Sequence, residues 1–290
     1  MPAKRRADIA VIGGSGLYEM EGLEHVRETR VSTPFGRPSD AVVLGTLSGR
    51  RVAFLSRHGR GHRISPSMIN YRANVYALKS LGVTRIFSVS AVGSMKERIH
   101  PGHVVLPDQF IDRTTRRMST FFDQGIVAHV TFADPVCHVL ADQLGEAARS
   151  MGATLHAGGT YLCIEGPQFS TKAESLLYRK WGVDVIGMTN ATEAKLAREA
   201  EICYATLALV TDYDCWHQSE EPVSVEAILS VMHANVAQAK NLLREAIQGT
   251  GEARACACAT ALRHTIVTAP KAVTASVKQR YGLFLKQGKQ

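Results

Sequence analysis

Asp8-Ile9-Ala10-Val11-Ile12-Gly13-Gly14-Ser15-Gly16 opens the folded part of the chain. A short β-favouring apolar run passes directly into a glycine-rich turn, the pattern of a buried strand that delivers a loop to the end of a sheet. Residues 51–55, 85–90, 104–106, 160–164, 184–186 and 202–211 repeat the form, each closing in small or polar residues. Helical stretches alternate with them. Asp134-Pro135 reads as an N-cap and first-turn proline, followed by one apolar face at Val136, Leu140, Leu144 and Ala147 and a stop at Gly152. Ser224 can cap a long helix with apolar positions at Ile228, Val231, Leu242 and Ile247, ending near Gly249. Residues 67–81 and 171–181 also read as helical. Strands alternating with helices imply an α/β domain with a mostly parallel or mixed sheet over residues 1–250. Residues 251–290 read as an irregular or helical extension, part of the same domain or a subunit contact.

The composition fits that reading. The chain has 290 residues, of which 45% are hydrophobic and 21% charged, enough to bury a core. No apolar run approaches the ~20 residues of a membrane span. The run 9–12 is too short for a signal-peptide core, so a cytoplasmic protein is expected. The formal charge is +8, and most of it lies after Gly251, where seven Lys and Arg face Glu252 alone. These charges are scattered and no nucleic-acid motif accompanies them, so a solvated tail or subunit contact is the simpler reading. Of the six cysteines, four sit singly in apolar stretches, as small core residues do. Cys256-Ala257-Cys258 is the one close pair. Its spacing to the other cysteines and histidines completes no zinc motif, and no metal is expected.

Ligands of α/β sheets bind beyond the carboxyl ends of strands, so the residues after each run carry the chemistry. Gly13-Gly14-Ser15-Gly16 offers backbone N–H groups and a hydroxyl, though a plain tight turn accounts for it equally. Ser56-Arg57-His58-Gly59-Arg60-Gly61-His62 is too dense in Arg and His for a core, and Arg57 with His58 suits a small oxyanion. Ser90-Ala91-Val92-Gly93-Ser94 and Gly187-Met188-Thr189 add further hydroxyls. Thr211-Asp212-Tyr213-Asp214-Cys215-Trp216 follows the most apolar run. If the extended conformation continues, its two carboxylates face one side, where one can hold the other's proton for general-acid work. A turn in which Asp caps backbone groups is the structural alternative.

Several stretches stand together in order: Gly13-Gly14-Ser15-Gly16-Leu17, Thr33-Pro34-Phe35-Gly36, Asn70-Tyr71 with Ala73-Asn74, Phe110-Ile111-Asp112-Arg113-Thr114, Glu165-Gly166-Pro167-Gln168-Phe169 and Thr211 to Trp216. In these the chain resembles the 5′-methylthioadenosine phosphorylases of the trimeric purine nucleoside phosphorylase branch, from about Asp8 to Ile247. The resemblance implies a single α/β domain whose central mixed sheet is partly closed into a barrel and flanked by helices. It also implies a homotrimer with shared sites, no cofactor, and inorganic phosphate as co-substrate. Ser15, Arg57, His58, Ser90 and Thr189 would bind phosphate. Ala91, Phe169, Ile186, Met188, His62, Asp212 and Asp214 would hold the nucleoside, with Val225 and Ile228 lining the methylthio pocket and His129 entering from a neighbouring subunit. Asp212 and Asp214 would be catalytic. Relatives that use 6-oxopurines carry Glu and Asn where Ser170 and Asp212 stand, which points here to adenine. A broader purine nucleoside phosphorylase, a water-using nucleosidase and a non-enzymatic nucleoside-binding protein are the alternatives.

Overall fold

The computed structural model describes residues 6–14, 17, 19–217 and 225–285; in the last span side chains are described at 231 and from 235 onward. Strands β1 (Ile9–Gly13), β2 (Leu23–Thr29), β3 (Val42–Leu47) and β4 (Arg50–Ser56) lead into helix α1 (Tyr71–Ser80). Strands β5 (Arg85–Ser94), β6 (Val104–Leu106) and β7 (Gln109–Asp112) precede α2 (His138–Ser150). Then come β8 (Leu155–Ala157), β9 (Thr160–Cys163), α3 (Lys172–Lys180), β10 (Val185–Gly187), α4 (Asn190–Glu199), β11 (Cys203–Asp212), α5 (Val225–Gln248) and α6 (Ala275–Leu285). No described helix is long and apolar enough to cross a membrane.

All strands belong to one mixed sheet, in the order β2-β3-β4-β1-β5-β10-β9-β7, with a branch from β5 through β11 and β6 to β8. The expected partial closure into a barrel is not what the pairing shows. The sheet stays open, because β2, β7 and β8 each pair on one side only, and it branches because β5 is long enough to take three partners. On one flank β5 runs parallel to β11 along its length. On the other it pairs with β1 only from Arg85 to Ser88, and with antiparallel β10 only at Gly93 and Ser94. Val89, Ser90, Ala91 and Val92 have no strand partner on that flank. The cleft opens there: Ala91 is the single exposed position in an otherwise buried strand.

Both faces of the sheet are covered, and this explains the unbroken apolar runs. Ile9 and Val11 enter one core cluster, with α2 and α5, while Ala10 and Ile12 enter another, with α1 and α4. Helix α3 starts on a capping box in which Thr171 and Glu174 satisfy each other's backbone N–H. The stretch 67–81 divides into a short tight turn at Pro66–Met68 and α1, which Asn70 caps. Helix α2 begins later than expected. Its N-cap is Cys137, not Asp134, because the Cys137 N–H is fixed to the Tyr204 carbonyl at 2.9 Å and sets where the helix can start. Beyond α5 the chain wraps the body. Arg85 Nη2 donates to the carbonyls of Gly251, Glu252 and Ala253, and Tyr281 and Phe284 are buried against Phe35, Phe121 and Phe122.

Candidate active site

The β5 gap gathers the loops at the ends of β1, β4, β5, β10 and β11. Arg57 follows β4 with its N–H on the Gly13 carbonyl, 2.9 Å, which joins the β1 and β4 ends. Its side chain is not a free fork. It is 3% exposed, and Nε and Nη2 donate to the two carboxylate oxygens of Glu193 at 2.5 and 3.1 Å. Nη1 donates to the Val89 carbonyl at 2.9 Å and Nη2 also reaches Ser88 Oγ at 2.6 Å. Burial opposes this charge, but the Glu193 carboxylate more than offsets it and the guanidinium is held above its ordinary range. Glu193, itself 2% exposed, also accepts from Ser88 Oγ and Tyr204 Oη. Asn190 Nδ2 completes the network on Ser88, Tyr204 and Thr206.

Next to this network lie the hydroxyls. Ser90 Oγ is 3.5 Å from Tyr161 Oη, and the same phenol accepts the Thr189 N–H. Ser90 and Thr189 are therefore held together across the gap by Tyr161. This requires glycine at Gly187, where a Cβ would stand 2.0 Å from Tyr161 Oη. Thr189 is the N-cap of α4 and its Oγ1 donates only to the Asn190 side chain, 3.2 Å; the positive end of α4 thus faces the gap. His58 Nδ1 is 2.8 Å from the Ile64 carbonyl, an acceptor, so Nδ1 carries the proton. Burial, then the Arg57 charge, push its pKa down to about 4, and the ring stacks on His62 at 4.1 Å.

The aspartates close the other side of the gap. Asp212 pairs with Gly93, and a Cβ on Gly93 would stand 2.8 Å from Asp212 Oδ1 and 3.1 Å from Ile186 Cγ2. Asp212 Oδ2 accepts from Thr211 Oγ1 at 2.6 Å and Oδ1 from the Asp214 N–H at 2.8 Å. The extended conformation does not continue: Asp214 has φ +53. Its carboxylate turns instead to Ser175 Oγ on α3, 2.5 Å away. Each aspartate thus has its own anchor, and Asp212 caps a turn. Asp214 is held above the usual carboxylate range by burial first, with the Asp212 charge adding to it. Beside them the Cys215 thiol donates to the Ser170 carbonyl, and Ser170 Oγ is buried with no partner among the described residues.

The remaining expected residues are placed as follows. Met188 packs on Gly166, where a Cβ would stand 2.6 Å from its sulfur. Ile186 is buried, Phe169 is 53% exposed at the rim, and His62 and His129 are exposed on this single chain. Ser15 lies outside the described residues, as do the side chains of Val225 and Ile228 on α5. Cavities of about 530 and 300 Å³ lie elsewhere, beside Tyr76 and α6 and beside Tyr71 and Arg117. Sequence reasoning missed Glu193, Ser88, Asn190 and Tyr204. It also missed Arg117, which binds the Glu165 carboxylate and the carbonyls of Ile164, Glu165 and Met188, and so fixes the loop under Met188. The Thr189-Asn190-Ala191-Thr192-Glu193 run, a polar stretch directly after the apolar strand ending at Gly187, was the available signal for Glu193 and Asn190.

Comparison with known proteins places the chain in a family and a fold. The profile of the phosphorylase superfamily matches residues 8–248. An S-methyl-5′-thioadenosine phosphorylase of Geobacter sulfurreducens is 61% identical over 278 residues, covering 96% of this chain and 97% of the relative. One from Koribacter versatilis is 56% identical, covering 97% and 96%. Among solved structures, a methylthioadenosine phosphorylase from an antarctic soil metagenomic library superposes with a TM-score of 0.92 at 51% identity, over 97% of this chain and 99% of that one. A methylthioadenosine phosphorylase from Schistosoma mansoni in complex with adenine gives 0.82 at 33% identity, over 98% and 99%. The likeness therefore runs past Ile247 into the basic tail.

Proposed function

The chain belongs to the phosphorylase superfamily, and from that premise we propose that it cleaves 5′-methylthioadenosine with phosphate, giving adenine and 5-methylthioribose 1-phosphate. The observation that carries this reading is the β5 gap. Ser90 and Thr189, joined through Tyr161, open onto the N-terminus of α4 on one side, and Asp212 stands against Gly93 on the other. That is a seat for an oxyanion next to a seat for a leaving base.

In this reading phosphate lies against Ser15, His58, Ser90 and Thr189, with Arg57 behind them as a fixed charge. Ala91, the exposed step in β5, gives the nucleoside room to approach. Met188 floors the ribose, Phe169 covers the base, and Ile186, His62, Val225 and Ile228 line the sugar and thioether. The glycosidic bond breaks towards a ribosyl cation, which the phosphate dianion stabilises and then traps at C1′. Asp212 supplies or shares the proton that neutralises adenine at N7, while Asp214, anchored by Ser175, receives the amino edge. The unpartnered Ser170 Oγ gives that edge a further hydroxyl, which can donate or accept. No cofactor is required. His129 enters a neighbouring site in a homotrimer, residues 251–290 belong to the same domain as 1–250, and the protein works in the cytoplasm.

The test is adenine release from 5′-methylthioadenosine with and without phosphate, beside inosine. The reading expects phosphate-dependent release with inosine inert. Release without phosphate makes the protein a nucleosidase, and activity on inosine alone overturns the reading of Ser170 and Asp212.

A further inference from the structure

Four cysteines far apart in sequence meet at the end of the sheet away from the β5 gap. Cys137 caps α2, Cys203 begins β11, and Cys256 and Cys258 flank Ala257 in the turn after α5. All four Sγ atoms lie within 4.8 Å of one another. Cys137, Cys203 and Cys258 are buried and Cys256 is half-buried. The spacing that shows no zinc motif along the chain becomes a four-sulfur set once folded, because α2 and β11 bring single cysteines to the place where the tail lays down its pair. From this geometry we propose that Cys137, Cys203, Cys256 and Cys258 form a tetrathiolate site for a zinc ion that fastens the C-terminal segment to the α/β body.

The dimensions suit that ion. A tetrahedron with zinc–sulfur bonds of about 2.3 Å has sulfur–sulfur edges of about 3.8 Å, well inside the observed limit. The Cys203 to Cys256 separation, 3.3 Å, needs only a slight opening. Four thiolates with no imidazole or carboxylate select zinc or another thiophilic ion over magnesium or calcium. Binding releases up to four thiol protons and leaves a cluster of charge −2. Positive charge is in place to meet it. Arg85 stands opposite Cys203 in the β5–β11 ladder, and Arg254 lies two residues before Cys256. Each guanidinium is fixed by main-chain carbonyls, Arg85 by those of 251–253 and Arg254 by that of Glu201.

The site ties three segments together. Its loss would free residues 251–258, which otherwise wrap Arg85 and lead to the segment bonded beside His129.

The test uses the full chain, purified in reductant without chelator. Zinc is measured by mass spectrometry of the metal, and cobalt(II) is added to metal-stripped protein. The proposal expects one zinc per chain. It also expects cobalt to show thiolate charge-transfer absorption with intense tetrahedral d–d bands, and chelation to lower Tm. Cys258→Ser should lose the ion and the chelator's effect on Tm. If that variant does not fold, competition of the parent protein with a chromogenic zinc chelator reads the same site. Two outcomes overturn the proposal: no zinc retained and no cobalt–thiolate absorption while all thiols titrate as free, or a mass lower by four hydrogens in reductant-handled protein, which would make the four cysteines two disulfides.

Discussion

Glu193→Gln tests the reading of Arg57 as a fixed charge. The substitution keeps the side chain's shape and removes the carboxylate that, among the described residues, alone bonds Arg57. Four donors converge on Glu193: Arg57 Nε, Arg57 Nη2, Ser88 Oγ and Tyr204 Oη. An amide offers one acceptor oxygen, and its NH₂ would face donors. Breaking a buried pair leaves an uncompensated charge and costs about 3–5 kcal/mol; the lower end applies here, because the carbonyl of Val89 still holds Nη1. Unfolding entropy of about 2.1 cal/mol/K per residue over this length gives about 0.6 kcal/mol/K, so a loss of about 3 kcal/mol lowers Tm by about 5 °C. Differential scanning fluorimetry at fixed protein concentration measures it. The same variant gains net positive charge behind the phosphate seat, so the phosphate KM should fall while the nucleoside KM stays. A Tm within about 1 °C of the parent's would refute the buried-pair argument, and a raised phosphate KM would refute the placement of Arg57 behind the anion.

Asp212→Asn should keep Tm and lose roughly 10²–10⁴-fold in turnover of 5′-methylthioadenosine, the range of general-acid contributions; full turnover removes the acid role. Ser170→Glu combined with Asp212→Asn should shift the ratio of kcat/KM towards inosine, read in the same adenine and hypoxanthine release assay. Glu199, pushed up to about 7 by burial despite hydrogen bonds from the Thr120 hydroxyl and the Phe121 N–H, should cost stability as pH rises. A raised folded pKa means that its contribution is complete below the unfolded value and is lost by the time pH passes 7. Glu199→Gln should therefore flatten the fall in Tm between pH 5 and 8 (roughly, from the same linkage), and an unchanged slope counts against it. His58 has the opposite sign: its pKa is pushed down to about 4, so stability is lost as pH falls from its unfolded value of about 6.5 towards 4. His58→Gln should remove that part of the acid slope in urea denaturation.

Runs such as Ile9 to Ile12 were legible because both faces of the sheet are covered, and burial on two sides leaves an unbroken apolar signal. β2 was not legible: five of its seven residues are exposed, and an exposed edge strand carries little hydrophobic pattern. The α2 start was misplaced because a Pro after Asp is a local signal, while the Cys137 contact to Tyr204 is a long-range one. Residues that lie at the gap, such as Ser90, Thr189 and Asp212, were readable as residue types after strand ends. The residues that orient them were not, since Glu193, Ser88 and Tyr204 become a network only when α4, β5 and β11 are packed. The Asp212 and Asp214 pair illustrates the limit. Their spacing was correct, but the assumption of an extended backbone was not, and φ +53 at Asp214 sends the second carboxylate to Ser175.

The same network bears on how such a site can both hold and use phosphate. A guanidinium gripping the anion directly would stabilise the free dianion as much as the reacting one, and uniform binding of that kind does not raise turnover. Here the Arg57 charge is largely neutralised by Glu193, at 2.5 Å. What faces the gap is then uncharged: the Ser90 and Thr189 hydroxyls, the α4 N-terminus, and a neutral His58 whose one N–H is held by the Ile64 carbonyl. In the proposed reaction the dianion therefore keeps its charge for the ribosyl cation forming beside it, and its attraction grows as that cation develops. The buried ion pair, which costs desolvation on both partners, is retained in this account because it fixes the donors without spending the nucleophile's charge.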